Sequence, residues 1–201
     1  MINTIIFDIG NVLAHFGWRE YLVSCNYDEG TLNKISNATV QSDFWLEWDR
    51  GAKESTELIE LSCSREPSVE KEIRDFFENF HSMIVEYDYA AELVKQLRSN
   101  NYKVYILSNY SKMGFEMQKD QFEFMKYIDG GVVSYKIKKV KPEPEIYQAL
   151  LEKYKFNPSE AVFLDDLQIN VEAAREQGIN AIRFESYDQA IAELRELGVR
   201  I

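Results

Sequence analysis

Cysteine is nearly absent from this chain of 201 residues. Only Cys25 and Cys63 are present and they form no CxxC pair, so no disulfide framework is indicated and a reducing compartment is favoured. Long apolar runs are absent as well, since none approaches the 18 residues that a membrane-spanning helix requires. From these absences we expect a cytoplasmic protein that does not enter a membrane.

Positive charge is scarce too. The 23 lysines and arginines are outnumbered by 34 aspartates and glutamates, which gives a formal net charge of −11 at pH 7. A field of this sign repels phosphate backbones and argues against a nucleic-acid partner. It also repels a small phosphorylated ligand, so a site for such a ligand must supply its own local positive charge.

Apolar runs alternate with helical patterns over most of the chain. Four runs have the character of buried parallel strands, at residues 5–7, 104–107, 161–164 and 181–184, and a weaker run lies at 131–134. Helical patterns such as AAELVKQLRSN and PEPEIYQALLEKY lie between them. This alternation predicts an α/β fold, with a Rossmann-like parallel sheet as its core and helices covering both faces.

One connection is too long for a single crossover. Roughly 70 residues separate the first strand from the helix before the second, far more than a crossover needs. This segment is rich in aromatic residues and helical patterns. We therefore predict an α/β core formed by residues 1–14 and 88–201, with an inserted α-helical cap at residues 15–87.

Polar groups stand at the ends of three predicted strands. Because ligands bind beyond the carboxyl ends of parallel strands, these groups should meet at one edge of the sheet. The set comprises Asp8 after the first strand, Ser108 and Asn109 after the second, Asp165 and Asp166 after a later one, and Lys141 ahead of that later strand. Singly, each is compatible with a turn, a helix cap or a solvated lysine, but their joint order favours a site.

The carboxylates of this set predict a cation. Asp8, Asp165 and Asp166 would repel one another unless a positive ion lay among them, and hard oxygen ligands suit Mg²⁺. With the ion bound, Asp8 could act as a nucleophile and form an aspartyl-phosphate.

The remaining groups suit a phosphoryl ligand. Ser108 and the backbone N–H of Asn109 could hold phosphoryl oxygens. Lys141 could neutralise charge on the nucleophile and on the transferring group.

Four segments of the chain, FDIGNVL, LSN, KPEPEIY and FLDDLQINVEAA, resemble the four motifs of the haloacid dehalogenase superfamily of phosphohydrolases. The inserted segment lies where that superfamily has its helical cap. The chain is most similar to the branch that contains bacterial α-glucose-1-phosphate phosphatase and the N-terminal phosphatase domain of soluble epoxide hydrolase. The cap segment WDRGAKESTEL also resembles this branch.

The resemblance implies a role for each matching residue. Asp8 would be the nucleophile and a metal ligand, Gly10 would offer Mg²⁺ its backbone carbonyl, and Asp166 would bind the ion directly with Asp165 acting through water. Ser108, Asn109 and Lys141 would bind phosphate, and Asp8, Ser108 and Lys141 would be the catalytic residues. Asn170 stands where many members have a further acid.

Gly10 departs from most phosphatases of the superfamily, which carry an aspartate there to protonate the leaving oxygen. Loss of such help costs about 10²–10⁴-fold. Three functions stay open. The first is a Mg²⁺-dependent phosphatase for a small, sugar-phosphate-like monoester, with a substitute acid such as His15, although a packing role for His15 is favoured. The second is a catalytically weak phosphate-binding or regulatory protein. The third is a metal-independent haloacid dehalogenase, against which the Asp165-Asp166 pair argues. We expect a monomer or a weak homodimer acting on a small phosphorylated substrate.

Overall fold

The computed structural model describes residues 1–201 and contains seven β-strands. Five of them form one parallel sheet in the order β5-β4-β1-β6-β7, and β2 and β3 form a separate antiparallel pair. The strands are β1 (Thr4–Phe7), β2 (Ala14–Phe16), β3 (Ile84–Glu86), β4 (Lys103–Ser108), β5 (Gly130–Val133), β6 (Ala161–Asp165) and β7 (Asn180–Arg183).

Helices fill most of the remaining chain, and the sheet with its helices confirms the predicted α/β fold. The first five helices lie between β2 and β3, and the other six follow β3. They are α1 (Trp18–Ser24), α2 (Glu29–Ala38), α3 (Trp45–Arg50), α4 (Ser55–Arg65), α5 (Glu70–Glu78), α6 (Ala90–Ser99), α7 (Lys112–Gln118), α8 (Ser134–Ile137), α9 (Pro144–Tyr154), α10 (Gln168–Glu176) and α11 (Tyr187–Glu196).

The sheet is buried on both faces. Because successive residues of a strand point to opposite faces, neighbouring residues of β1 pack into different apolar clusters. Ile5 and Phe7 of β1 belong to an apolar cluster that also takes in residues of α6 and α11. Ile6, between them, belongs to a second cluster with residues of α9 and α10. This explains why the strands read as continuous apolar runs in the sequence.

The strand register brings the carboxyl ends of three strands to one edge of the sheet. Phe7, the last residue of β1, lies opposite Ile106 of β4 on one side and Leu164 of β6 on the other. The chain passes from β1 to β4 and β5 on one side and then to β6 and β7 on the other. The carboxyl ends of β4, β1 and β6 therefore border the crevice in which open α/β sheets bind ligands.

The inserted helices α1–α5 are framed by the β2–β3 pair. In that pair His15 lies opposite Val85, and Tyr87 N–H donates to Leu13 C=O at 3.0 Å. The apolar side chains of the insertion are continuous with the cluster on one face of the sheet. The division into a core and a cap at residues 15–87 stays a prediction. None of the helices has the length and apolar content needed to cross a membrane.

Candidate active site

Asp8 lies directly beyond β1, at the centre of the carboxyl edge. Its N–H donates to Leu164 C=O at 2.9 Å, which continues the ladder with β6. Its Oδ1 accepts from Ile9 N–H at 2.7 Å, and its Oδ2 lies 3.0 Å from Lys141 Nζ. Burial raises the pKa of Asp8 to about 7, with Lys141 opposing the shift and Asp165 adding to it. The carboxylate is thus a high-energy group that needs positive charge beside it.

Lys141 supplies part of that charge from the loop before α9. It is only 2% exposed, and its Nζ lies 2.6 Å from Asp165 Oδ2 as well as beside Asp8. Burial by itself lowers the pKa of Lys141, but the carboxylates of Asp165 and Asp8 outweigh it and the net shift is upward. The ammonium therefore stays charged at neutral pH.

The backbone of Lys141 is fixed by Asn109, which follows β4. Lys141 N–H donates to Asn109 Oδ1 at 2.8 Å, and Asn109 Nδ2 donates to Lys141 C=O at 3.0 Å. The Asn109 side chain therefore orients the lysine. The sequence suggested only its backbone N–H as a phosphate donor.

Asp165 ends β6 and has both oxygens occupied. Oδ1 accepts from Leu167 N–H at 2.9 Å and from Asn170 Nδ2 at 3.0 Å, and Oδ2 accepts from Lys141 Nζ and again from Asn170 Nδ2 at 3.1 Å. The amide at position 170 thus holds Asp165 in place. Little lone-pair capacity is left on Asp165 for a metal ion.

Asp166 is the freer of the two neighbouring acids. One oxygen accepts from Asn11 Nδ2 at 3.1 Å, and burial raises the pKa of this carboxyl. One carboxylate oxygen each of Asp8, Asp165 and Asp166 lies within 4.8 Å of the others. A cluster of this kind, with a single buried ammonium against three acids, fits a hard divalent cation.

Ser108 is the last residue of β4, and its side chain is buried. Its Oγ is fully buried and makes no hydrogen bond of normal geometry, although it lies close enough to the Asp8 carboxylate to lower the pKa of that group. An unpaired buried hydroxyl costs free energy. This one stands at the same sheet edge as Asp8, so an anionic ligand there could take up its hydrogen bond.

Gly10 leaves the position of a side chain open. A Cβ atom at Gly10 would meet no heavy atom within 4 Å. His15, the sequence-based candidate for a substitute acid, does not line the cavity over Asp8. Its Nε2 lies 3.3 Å from Glu20 Oε1, and its side chain is 43% exposed. Neither Gly10 nor His15 therefore places a proton donor over Asp8.

A cavity of about 120 Å³ opens over Asp8 and Gly10. One wall is apolar and includes Phe16, Trp45 and Phe80. Trp48 is 2% exposed and packs among the inserted helices, with 4.7 Å between its ring centroid and that of Trp45. The aromatic residues of the inserted segment therefore divide between the cavity wall and the interior of the helices.

The polar lining of the cavity contains a carboxyl group from one of the inserted helices. Asp49 of α3 lies in the cavity with Asp8, Asn109 and Tyr110. Desolvation first, and the Asp8 charge second, raise the pKa of Asp49 to about 7. Sequence reasoning missed this residue. The available signal was the i, i+4 spacing of Trp45 and Asp49, which places both on one helix face.

Comparison with known proteins identifies the family of this chain. Residues 24–184 match the haloacid dehalogenase-like hydrolases. This chain belongs to that family. The predicted family is thereby confirmed, and three of the four motifs, LSN, KPEPEIY and FLDDLQINVEAA, lie within the matched residues.

The curated proteins that resemble this chain are named for several different activities. A flavin mononucleotide hydrolase of Arabidopsis thaliana is 24% identical, over 78% of this chain and 63% of that protein. A sesquiterpene phosphatase of Aspergillus oryzae is 24% identical, over 96% of this chain and 94% of that protein. Acyl-CoA dehydrogenase family member 10 of Mus musculus is 25% identical over 97% of this chain, but the chain spans only 19% of that protein.

Solved structures share the fold. A haloacid dehalogenase family enzyme of Bacteroides thetaiotaomicron, in complex with magnesium and inorganic phosphate, gives a TM-score of 0.73 at 24% identity, with 94% of this chain and 99% of that chain covered. An L-2-haloacid dehalogenase of Xanthobacter autotrophicus gives a TM-score of 0.70 at 18% identity, covering 100% of this chain and 85% of that chain. The same architecture thus serves both phosphate-binding and dehalogenating relatives, so the fold does not choose between them.

Proposed function

We propose that this protein is a Mg²⁺-dependent phosphatase that hydrolyses a small phosphate monoester through an aspartyl-phosphate intermediate. The observation that carries the proposal is the position of Asp8, which lies 3.0 Å from the buried ammonium of Lys141 and within 4.8 Å of two further carboxylates. The magnesium and phosphate in a structural relative support it.

Two steps of phosphoryl transfer account for the residues. An oxygen of Asp8 attacks phosphorus, the ester P–O bond breaks, and the leaving oxygen takes a proton. Water then attacks the same phosphorus, the bond to Asp8 breaks, and inorganic phosphate leaves. Lys141 neutralises negative charge on Asp8 and on the transferring phosphoryl group. Ser108 donates a hydrogen bond to a phosphoryl oxygen through its buried hydroxyl.

Mg²⁺ fits the donor set through Asp8, Asp166 and the Gly10 carbonyl, with Asp165 behind them. When bound, it would neutralise the carboxylates and polarise phosphoryl oxygens. Asp165 is the weakest candidate for direct contact because its oxygens already accept four hydrogen-bond contacts from Leu167, Asn170 and Lys141.

The cavity suggests the size and shape of the substrate. At about 120 Å³ it is smaller than the roughly 300–1,000 Å³ of sites for drug-sized ligands. Its aromatic wall could stack on the apolar face of a sugar ring or on another flat or aliphatic group. A compact phosphate monoester, sugar-phosphate-like in size, is therefore the proposed substrate class.

The test is hydrolysis of a panel of monoesters with and without Mg²⁺, by the wild type and by Asp8→Asn. The panel contains sugar 1-phosphates, flavin mononucleotide, an isoprenoid phosphate and an activated aryl phosphate, with a 2-haloacid as the dehalogenase probe. Mg²⁺-dependent phosphate release that is lost in Asp8→Asn supports the proposal. Halide release without metal would replace it with dehalogenation.

Gly10 favours a second candidate, a phosphate-binding protein with little turnover. The usual acid is absent from its usual position, and the space there is open. Calorimetric binding of Mg²⁺ and phosphate, with no turnover of any ester in the panel, would decide for this second function.

A further inference from the structure

We propose that Asp49 of the cap is the general acid that protonates the leaving oxygen, in place of the aspartate that Gly10 lacks. The proposal rests on the phosphatase function proposed above. It assigns the proton donor to a residue of the inserted helices.

The placement of Asp49 carries this assignment. Asp49 lines the same small cavity as Asp8 and Gly10, and it enters from the cap side. It is not part of the cluster of three carboxylates, so it stands apart from the proposed cation position. A group attached to phosphorus over Asp8 must project away from the sheet edge, and Asp49 is the one aspartate or glutamate besides Asp8 that lines this cavity.

Three contacts hold this end of α3 on the core. Asp49 C=O accepts from Ser134 Oγ at 2.5 Å, Arg50 lies 2.8 Å from Glu143, and Lys138 Nζ donates to the carbonyl of Gly51. Ser134 Oγ also accepts from Tyr110 N–H at 2.9 Å. The end of α3 is therefore tied to α8 and to the segment between α8 and α9, and these contacts fix the backbone from which the Asp49 carboxyl extends. Such positioning is what proton transfer requires.

The rival proton donors fit less well. His15 faces Glu20 outside the cavity. Tyr110 lines the cavity and its hydroxyl is buried without a partner, but burial first and the Asp49 and Asp8 charges next raise the pKa of that hydroxyl. A phenol that holds its proton so tightly is a poor acid, although it can still donate a hydrogen bond. Burial of the Asp49 carboxyl raises its pKa above the usual range, which favours the proton-carrying form of a side chain already placed in the cavity.

The proton accounting is complete within the site. As the P–O bond of the ester breaks, the leaving oxygen takes the proton of the Asp49 carboxyl. The resulting carboxylate then accepts a proton from the water that attacks the aspartyl-phosphate. This transfer returns Asp49 to its protonated form as the bond between phosphorus and Asp8 breaks, and inorganic phosphate then leaves.

A matched pair of esters tests the assignment. Benzyl phosphate has a strongly basic leaving oxygen that needs a proton, whereas 4-nitrophenyl phosphate has a leaving oxygen stable without one. The measured quantity is kcat/KM, which reports the steps through phosphoryl transfer. We expect Asp49→Asn to lower it by about 10²–10⁴-fold for benzyl phosphate and by less than about threefold for 4-nitrophenyl phosphate. The ratio of the two values does not depend on the folded fraction of the preparation.

Three further variants complete the experiment. Asp49→Glu should recover part of the benzyl phosphate activity, and Tyr110→Phe should leave the ratio between the esters unchanged. Asp43→Asn is the matched control, because Asp43 is an exposed cap aspartate paired with Arg65, and it should change neither value.

An equal loss on both esters in Asp49→Asn, or no loss on either, would overturn the assignment while leaving the phosphatase intact. A selective loss on benzyl phosphate in Tyr110→Phe and not in Asp49→Asn would transfer the role to Tyr110. A wild type inactive on both esters would overturn the proposed function, and the acid with it.

Discussion

Replacing Lys141 with methionine should destabilise the protein in a pH-dependent manner. Methionine keeps the approximate length and removes the charge. Removal of one partner from a buried ion pair typically costs about 3–5 kcal/mol. Asp165 retains the hydrogen bonds from Leu167 and Asn170, which favours the lower end, so we expect the free energy of unfolding to fall by about 3 kcal/mol at pH 8.

The loss should be smaller at pH 6. The folded-state pKa of Asp8, already raised to about 7 by burial, rises further when Lys141 no longer lowers it. Between pH 6 and pH 8 the wild type therefore gives up the Asp8 proton while the folded variant keeps it. The difference is equivalent to about one proton over one pH unit, or about 1.4 kcal/mol. Since the folded variant holds the extra proton, its stability relative to the wild type falls as pH rises.

Urea unfolding of both proteins in EDTA at the two pH values measures these quantities. The chelator matters because a bound divalent ion would replace the lost positive charge. Lys139→Met is the matched control, since Lys139 makes only a partly exposed pair with Glu145, and it should change the free energy by less than about 1 kcal/mol. A Lys141→Met cost below about 1 kcal/mol, or one that is equal at both pH values, would refute the reasoning.

Three further predictions concern the same site and the inserted helices beside it. The dissociation constant for Mg²⁺, measured by calorimetry, should be roughly tenfold higher at pH 6 than at pH 8, because protons compete for Asp8, whose pKa is raised to about 7. Ser108→Ala should raise the inhibition constant of inorganic phosphate about tenfold and change the free energy of unfolding by less than about 1 kcal/mol, because the lost hydroxyl has no partner. Gly51→Ala should cost about 1–2 kcal/mol in urea unfolding, because φ is +65° and the new Cβ would lie 2.9 Å from Tyr135 Cβ.

Each of these three predictions has a control variant or a contradicting outcome that tests its physical cause. Gly198 also has positive φ, at +82°, but a Cβ there meets nothing within 4 Å, so Gly198→Ala should cost less than Gly51→Ala. Equal costs would show that backbone strain alone acts. A Mg²⁺ affinity independent of pH would remove Asp8 from the ligand set, and a large stability loss in Ser108→Ala would mean that the hydroxyl has a partner in solution.

The sequence by itself determined the fold class and the strand ends of the site. Runs such as Ile5 to Phe7 are apolar because both faces of the sheet are covered, and this local pattern is legible without coordinates. Asp8, Ser108 and Asp165 each stand at the end of such a run. The parallel arrangement then brings them to one edge. Strand bounds were less exact: the last strand was expected at residues 181–184 and lies at Asn180–Arg183.

The tertiary structure alone decided which groups complete the site. Asn109 holds the backbone of Lys141 across 32 residues of chain, and Asn170 occupies both oxygens of Asp165. Asp49 lines the cavity because α3 docks on α8 and on the segment that follows α8. No local periodicity encodes such pairings, since they depend on how elements that are distant in the sequence pack against one another. The strand-end residues follow from a repeating local pattern, whereas the partners that orient them and the acid above them follow from packing.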